Sequence, residues 1–503
     1  MIIGNHTSLP RGYVVSFIGV LFLGLLARGQ AIFAPLYSID SYDTAYRGEP
    51  DAIYGFLLTQ GRYGLAALWW LRDAIGFYGI EVASATLIIS IILFAASGFL
   101  FSIAVLKRPT AAETFILSAL FTLHPYSTEF FHFSDATFNI ALAIFLGALG
   151  IVLALRKSGL GGAAVSCLLI FLSISIYQLA LVHIGAVWLL YAAYVLLKDR
   201  SDAIEYKENL SNGLRSLVLI SLSLATYLVS LPLLTRLIGV RFDARTDLSK
   251  LINVQEKLQA LRDAFAHTLW PKIEVIAPVT SALLLGLLVL CSGLVIWRVL
   301  RRGDFAIGVF LSVILIAALT WSLGASVLGG VIWLVPRVLS PFSVFVAGLT
   351  VIAWHGARLP AKGIIGGGIC VLLISYVGAS NQILFDQRRV NLWDTQQANR
   401  ILAALERQPE FRRISSLAIV GGSWARSSRL RTTWGDMNIS AFAASWAKLG
   451  IIEQATGYRF VQPSPKEMDS AQSYCATANV WPDAGAIKVV DTLGIVCLTK
   501  PAS

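Results

Sequence analysis

Eleven stretches of roughly 17 to 25 predominantly apolar residues, the length that crosses a bilayer as an α-helix, recur along this 503-residue chain and leave few folds open to it. Inside hydrocarbon every backbone N–H and C=O must find a partner within the protein, so such stretches become helices packed on one another. They fall at about 12 to 34, 82 to 106, 110 to 125, 137 to 155, 160 to 176, 179 to 197, 214 to 234, 276 to 298, 305 to 323, 338 to 354 and 363 to 380. The third is short for a span. The pattern predicts an all-α polytopic membrane protein, and a composition 56% hydrophobic and only 14% charged excludes an ordinary soluble chain.

The segment from 52 to 78 is interrupted by Gly61-Arg62 and Arg72-Asp73 and carries Trp69-Trp70. It reads as an amphipathic helix lying in the interface. The first apolar stretch has span length and no convincing small-residue cleavage site after it, so it is expected to stay as an anchor.

A net charge of +11 suggests nucleic acid in a soluble protein, but here the cations cluster between spans. With a cytoplasmic N-terminus, Lys107-Arg108, Arg156-Lys157, Lys198 with Arg200, Arg298 with Arg301-Arg302, and Arg358 with Lys362 all fall on the cytoplasmic side, as the positive-inside rule requires. The segment from Asp40 to Asp51, the turn from His124 to Asp135, the loop at about 235 to 275, the link at 324 to 337 and everything after about 380 then face the other side. Within that long loop, Leu248, Leu251, Leu258 and Leu261 have the spacing of a surface helix.

After residue 380 charges return. A helical pattern from about 386 to 408 precedes a β-branched run from Ser416 to Gly422, and strand-like runs begin at Ile487 and Gly494. Residues 381–503 are therefore expected to form a small extracytoplasmic α/β domain beside a membrane domain of residues 1–380. Cys475 and Cys497 share that domain and a compartment that permits oxidation, which predicts a bridge between them. Cys167, Cys291 and Cys370 lie in spans as small apolar residues. The six His have no zinc-ligand spacing, and no glycine-rich phosphate loop ending in Lys-Ser/Thr occurs, which argues against a metal centre and an ATP-driven pump.

The polar residues near the outer ends of the spans carry the chemistry. Asp40 and Asp43 follow the first span directly, and a carboxylate that close to lipid is costly unless it is paired, hydrated or used. The ordered set Ile39-Asp40-Ser41-Tyr42-Asp43, Gly61-Arg62, His124-Pro125-Tyr126 with Glu129 and Asp135, Ser175-Ile176-Tyr177-Gln178, Pro336-Arg337 and Trp481-Pro482-Asp483-Ala484-Gly485 resembles the type II O-antigen glucosyltransferases, the serotype-converting Gtr-type enzymes of the GT-C architecture. The likeness runs along most of the chain and rests on the joint order of motifs that are individually weak. One departure matters: members of that family often carry two adjacent acidic residues in the first outer loop, whereas Ser41 and Tyr42 separate Asp40 from Asp43 here.

The resemblance implies transfer of a hexose, glucose first among candidates, from a polyprenyl-phosphate donor to a cell-surface glycan at the outer face of a bacterial inner membrane. It implies no cofactor and no nucleic acid; the partners would be the lipid-linked sugar, the glycan acceptor, the bilayer, a flippase and a donor synthase. The acceptor hydroxyl must lose a proton as it attacks the anomeric carbon, and one carboxylate can take it. Asp40, nearest the membrane, is the preferred base, with Asp43 second. The departing phosphate gains charge and suits Arg forks, for which Arg62, Arg337 and Arg28 are the candidates. Tyr42, Glu129, His132 and Asp135 are candidates for the substrate pocket.

Each of these has a plainer role to set beside it. Asp40 sits where a helix begins or ends and could cap it. Arg62 could anchor an interfacial helix to lipid phosphates, Arg28 could snorkel, and Arg337 could serve the start of a span. Glu129, His132 and Asp135 could be interface residues of a hairpin between spans. Other classes stay open too: a flippase of lipid-linked glycan, which would need ionisable residues deep in several spans or an internal repeat with broken helices, or a related GT-C transferase of another sugar.

Overall fold

A computed structural model describes residues 10–46, 50–77, 81–157, 159–198, 203–239, 253–269, 275–324, 332–422, 430, 432–483 and 485–501. Its first helix, α1 (Arg11–Phe33), is apolar throughout, and three short helices follow, α2 (Ile39–Tyr46), α3 (Pro50–Thr59) and α4 (Tyr63–Ala74). The segment expected to be one interfacial helix is thus two, because Gly61 adopts a φ of +71°, a conformation that breaks a helix at no steric cost for glycine. Exposed Trp70, Leu71, Ile75 and Phe77 keep α4 and the residues after it suited to a lipid surface.

The helical core continues with α5 (Ala83–Leu106), α6 (Ala111–Leu123), α7 (Thr137–Arg156), α8 (Leu160–Ile176), α9 (Leu179–Leu197), α10 (Ala203–Ile238), α11 (Val254–Leu269), α12 (Pro278–Leu300) and α13 (Phe305–Gly324). Then come α14 (Pro336–Leu339), α15 (Phe342–His355) and α16 (Leu359–Glu406). Among the described residues, nine helical segments are long and apolar enough to cross a membrane, and α6 and α8 are shorter apolar helices at two more of the places expected. Local rules set the ends: Thr110 and Glu113 cap α6 reciprocally, and Pro278 occupies the first position of α12, where its missing N–H costs nothing.

Burial orders the bundle. In an apolar 18-residue stretch of Pro336–His355 83% of the residues are buried, which puts this segment at the centre, whereas in the corresponding stretch of α10 only 22% are, and Val218, Leu222 and Val229 lie on its exposed side. Apolar side chains such as Val15, Ile18 and Phe22 of α1 and Val289 of α12 likewise face outward, as lipid-facing positions do. Helix α11 places the exposed Leu258 on its surface and buries Ala260 and Ala264; Leu248 and Leu251 lie outside the described residues.

Helix α16 is 48 residues long, so the expected last span and the helical pattern at 386 to 408 are one element, and residue 380 falls inside it. At about 1.5 Å per residue it reaches well past a bilayer's thickness. Its far half supports a small unit with a three-stranded sheet, β1 (Ser416–Val420), β2 (Ile487–Val490) and β3 (Leu493–Cys497), in the order β1-β3-β2. Strands β1 and β3 are parallel, β2 and β3 antiparallel, and α17 (Lys448–Thr456) and α18 (Pro465–Thr477) complete the unit. A disulfide joins Cys475 of α18 to Cys497 of β3.

The core of this unit is not made by the tail alone. Ile39 and Tyr42 of α2 pack with Ile401 and Leu405 of α16, Leu417 and Ile419 of β1 and Ile451 of α17. Gly450 of α17 lies so close to the backbone of Tyr42 that a Cβ there would collide with the Tyr42 carbonyl. The segment that follows α1 is thereby fixed to the tail.

Candidate active site

Asp40 occupies the first turn of α2, where the free amides of a helix N-terminus favour negative charge. Its side chain is reached by solvent, yet protein surrounds it closely. The indole N–H of Trp446, from the tail, donates to its Oδ1 at 3.1 Å. Desolvation raises the Asp40 carboxyl above the ordinary aspartate range, and the negative charges of Asp436 and Asp135 add to this; Arg337 and the Trp446 hydrogen bond pull it back.

Beside Asp40 lies a buried charge array. The segment Pro125–His132 is a 3₁₀ helix with every residue buried, so the expected hairpin turn is instead tucked into the protein. It aims Glu129, which has no exposed surface, at the start of α14. There the backbone N–H of Arg337 donates to Glu129 Oε2 at 2.6 Å, and the Arg337 guanidinium pairs with Glu129 Oε1. The other arm of the guanidinium donates to Asp436 Oδ2 at 2.5 Å, and the group lies over the Phe133 ring at 4.8 Å. The two carboxylates flank the buried guanidinium and offset its charge.

The structure thus brings Asp40, Glu129, Asp135 and Arg337 into one electrostatic neighbourhood, with Asp436 and Trp446 of the tail added to it. Asp43 follows one turn after Asp40 in the same helix, a separation that keeps the two on neighbouring positions of its surface rather than diverging as in extended chain. Asp135 is committed to positioning: its Oδ1 accepts from Ser41 Oγ at 3.1 Å and its Oδ2 from Thr44 Oγ1 at 2.8 Å, which pins α2.

Several candidate residues have other surroundings than a pocket would give. Tyr42 is 1% exposed, stacks on Tyr37 at 5.3 Å and accepts a hydrogen bond from Asn391, so it belongs to the core behind Asp40. His132 is fully buried with neither ring nitrogen partnered among the described residues; burial, with Arg337 adding, depresses it to about 3 and keeps the ring neutral. Arg337 is not open to a donor phosphate, because both arms of its fork are taken by carboxylates.

Arg62 lies over Tyr177 at 5.3 Å and donates to Gln178 at 3.3 Å. Tyr177 feels the charges of Arg62, Arg337 and Glu129 alike, so Arg62 borders the array. Arg28 stands apart within α1, fully buried, with its guanidinium 3.4 Å from the His124 carbonyl and over Phe131 at 4.8 Å; its Nε and Nη1 have no partner among the described residues. It does not snorkel.

One face of α16 organises both approaches to Asp40. Gln387 donates to the Tyr37 carbonyl at 2.8 Å and accepts from the backbone of Asn438, and Asn391 is bonded to both the amide and the carbonyl of Tyr37. Asp386 accepts from the amide and hydroxyl of Thr432 at 3.0 and 2.9 Å, and Asp394 from Ser440 and the Ala441 amide. The stretch Tyr37 to Asp40 and the stretch Thr432 to Trp446 are therefore held against one ruler. No group of three His, Cys, Asp or Glu side chains suited to a metal ion occurs among the described residues.

A solvent-reached carboxylate of raised pKa, held by an indole and flanked by a saturated charge array, is equipped to accept a proton from a hydroxyl. No curated protein and no solved structure matches the chain. The family model of the glucosyl transferase GtrII matches residues 29–352, a span that holds Asp40, Asp43, Arg62, Glu129, His132, Asp135 and Arg337 and ends before α16 and the tail. This chain, with its bundle of membrane-length apolar helices, belongs to the GtrII glucosyl transferase family and is a glycosyltransferase.

Proposed function

We propose that the enzyme moves a hexose, glucose first among candidates, from a polyprenyl-phosphate donor to a cell-surface glycan such as O-antigen, at the extracytoplasmic face of a bacterial inner membrane. Asp40 is the general base. The observation that carries this reading is the pairing of Asp40 with Trp446: a carboxylate at the membrane end of the first outer helix, accessible to solvent, with its proton affinity raised by its surroundings and its orientation fixed by an indole N–H.

The sequence of events follows from the charges. The acceptor hydroxyl gives its proton to Asp40 as its oxygen attacks the anomeric carbon, and the bond from that carbon to the donor phosphate breaks with the electron pair leaving on phosphate. The array beside Asp40 is rich in carboxylates, which suits hydrogen bonds to sugar hydroxyls and repels phosphate. The donor phosphate accordingly belongs on the Arg62 side, next to Tyr177 and the interfacial helix α4. Arg337 acts by holding Glu129 and Asp436 in place.

Basic clusters on one side of the spans support the orientation, with residues 381–503 outside the cytoplasm. The deciding experiment compares surface polysaccharide and lipid-linked intermediates of cells with and without the protein. Hexose decoration that disappears with the protein is the expected result; identical glycans and intermediates in both would sink the reading.

A further inference from the structure

The face of the bundle opposite the active site holds a cavity of about 950 Å³, walled by the ends of α9, α12 and α15 and the start of α16. Helix α15 runs from the Arg337 end of the molecule to it. Five cations line it, Lys198, Arg298, Arg301, Arg302 and Arg358, together with apolar Leu197, Leu294 and Ile352.

The plainest account of these cations is topology: basic residues mark the cytoplasmic side whether or not they bind anything. That account covers their side of the membrane but not their arrangement around a walled space. Two of them are built in. Arg298 donates to the carbonyls of Ile352 and Ala353 at the end of α15, and Arg302 to that of Leu197 at the end of α9. Gly356 makes room for the first, since a Cβ there would lie 2.7 Å from the Arg298 Cζ.

Acid does not balance the rest. Lys198 is neutralised by Glu205, and His355 is bonded to Glu113 at 2.8 Å. Arg298, Arg301, Arg302 and Arg358 have no carboxylate partner among the described residues, which leaves converging positive charge over an apolar wall. Trp297, 59% exposed on the same helix end, marks headgroup level.

We infer that this cavity binds the phosphate of a membrane lipid, with Arg301 and Arg358 as the anion-facing cations and Leu197, Leu294 and Ile352 receiving the first carbons of the chains. Basic pockets between spans on the positive side take such headgroups, and the volume lies in the range of ligand sites. The chemistry is a lipid-borne phosphate; a glycerophospholipid and a polyprenyl phosphate both offer it. The inference does not depend on the identity of the sugar or of the base.

The test is native mass spectrometry of the full chain in detergent, given phosphatidylglycerol, undecaprenyl phosphate, phosphatidylcholine or inorganic phosphate separately. Wild type should retain at least one of the two anionic lipids with about tenfold preference over phosphatidylcholine, and the double variant Arg301→Ala/Arg358→Ala should lose that preference. Phosphatidylglycerol or undecaprenyl phosphate as the favoured lipid tells the two sources apart. Equal retention of anionic and zwitterionic lipid, a preference unchanged in the double variant, or inorganic phosphate binding as tightly as the lipids would each overturn the assignment. Both substituted residues are exposed, and unchanged thermal melting of the variant secures the comparison.

Discussion

Arg337 grips Glu129 twice, through its own backbone amide at 2.6 Å and through its guanidinium, while the second arm of the fork holds Asp436. Removing the cation leaves two carboxylates facing each other, one of them without exposed surface, and an unpaired buried charge of this kind costs about 3 to 5 kcal/mol. Arg337→Ala should lower the melting temperature of the detergent-solubilised protein and turnover together, and Arg337→Lys should rescue little because an ammonium lacks the fork. Unchanged melting with a raised KM for the donor alone would instead put this guanidinium on the donor phosphate.

For Asp40 the expectation is a chemical defect without a structural one. Asp40→Asn keeps the size and can still accept from the Trp446 indole, but it takes no proton, so transfer should fall by roughly 10² to 10⁴ with the protein still in the membrane. Asp43→Asn should cost less. Near-normal turnover of Asp40→Asn with a crippled Asp43→Asn would move the base to Asp43.

What the sequence disclosed and what it hid divide along physical lines. Apolar spans are written locally, as runs of residues, so the expected spans fall on helices, the one at 338 to 354 on the pair α14 and α15, and the β-branched runs at Ser416 and Ile487 coincide with strands. Asp40, Glu129 and Arg337 were visible because a charge at the edge of an apolar run is conspicuous. Asp436 and Trp446 were not, since nothing in a segment that lies, at Trp446, 406 residues beyond Asp40 marks it as the other wall of the site. Gln387, Asn391 and Asp394 gave a fainter signal, polar residues at helical spacing on one stripe, which only contact with the Tyr37 and Ser440 segments turns into a positioning face. The reach of α16 was concealed by its change from apolar to charged composition, which looks like a boundary and is instead a helix leaving lipid.

Orientation can be measured directly. Because the basic clusters lie between spans on one side, a reporter that works only in the cytoplasm should stay dark when fused after Ser503, and one that needs an oxidising compartment should be active. A bright cytoplasmic reporter reverses the topology and removes Asp40 from the outer face.

The buried clamp between α16 and the tail should respond to pH through Asp394. Burial pushes this carboxyl up to about 7, with the Ser440 hydroxyl and the Ala441 amide pulling the other way. Since the folded pKa lies above the unfolded value of about 4, the stability from this group is fully present below about pH 4 and is lost as pH rises through about 7. Between about pH 5.5 and about pH 8 the melting temperature of wild type should therefore fall relative to that of Asp394→Asn, which does not ionise. A constant gap between the two across that range would mean that Asp394 does not titrate there.

Trp446 supplies the sharpest test of the site, because it acts on Asp40 from a part of the chain outside the family match. Its indole N–H bonds the ionised carboxylate at 3.1 Å and so lowers a pKa that burial and Asp436 raise. Trp446→Phe keeps an aromatic ring and removes the donor. The acid limb of the kcat/KM profile, which reports the free enzyme's base, should already lie above the ordinary aspartate range in wild type and should move to still higher pH in the variant. At low pH the variant then loses activity because more of its Asp40 is protonated, and at high pH most of the rate returns. A purely structural role for Trp446 predicts a uniform loss at every pH, and that outcome, or an acid limb left where it was, would separate Trp446 from the ionisation of Asp40.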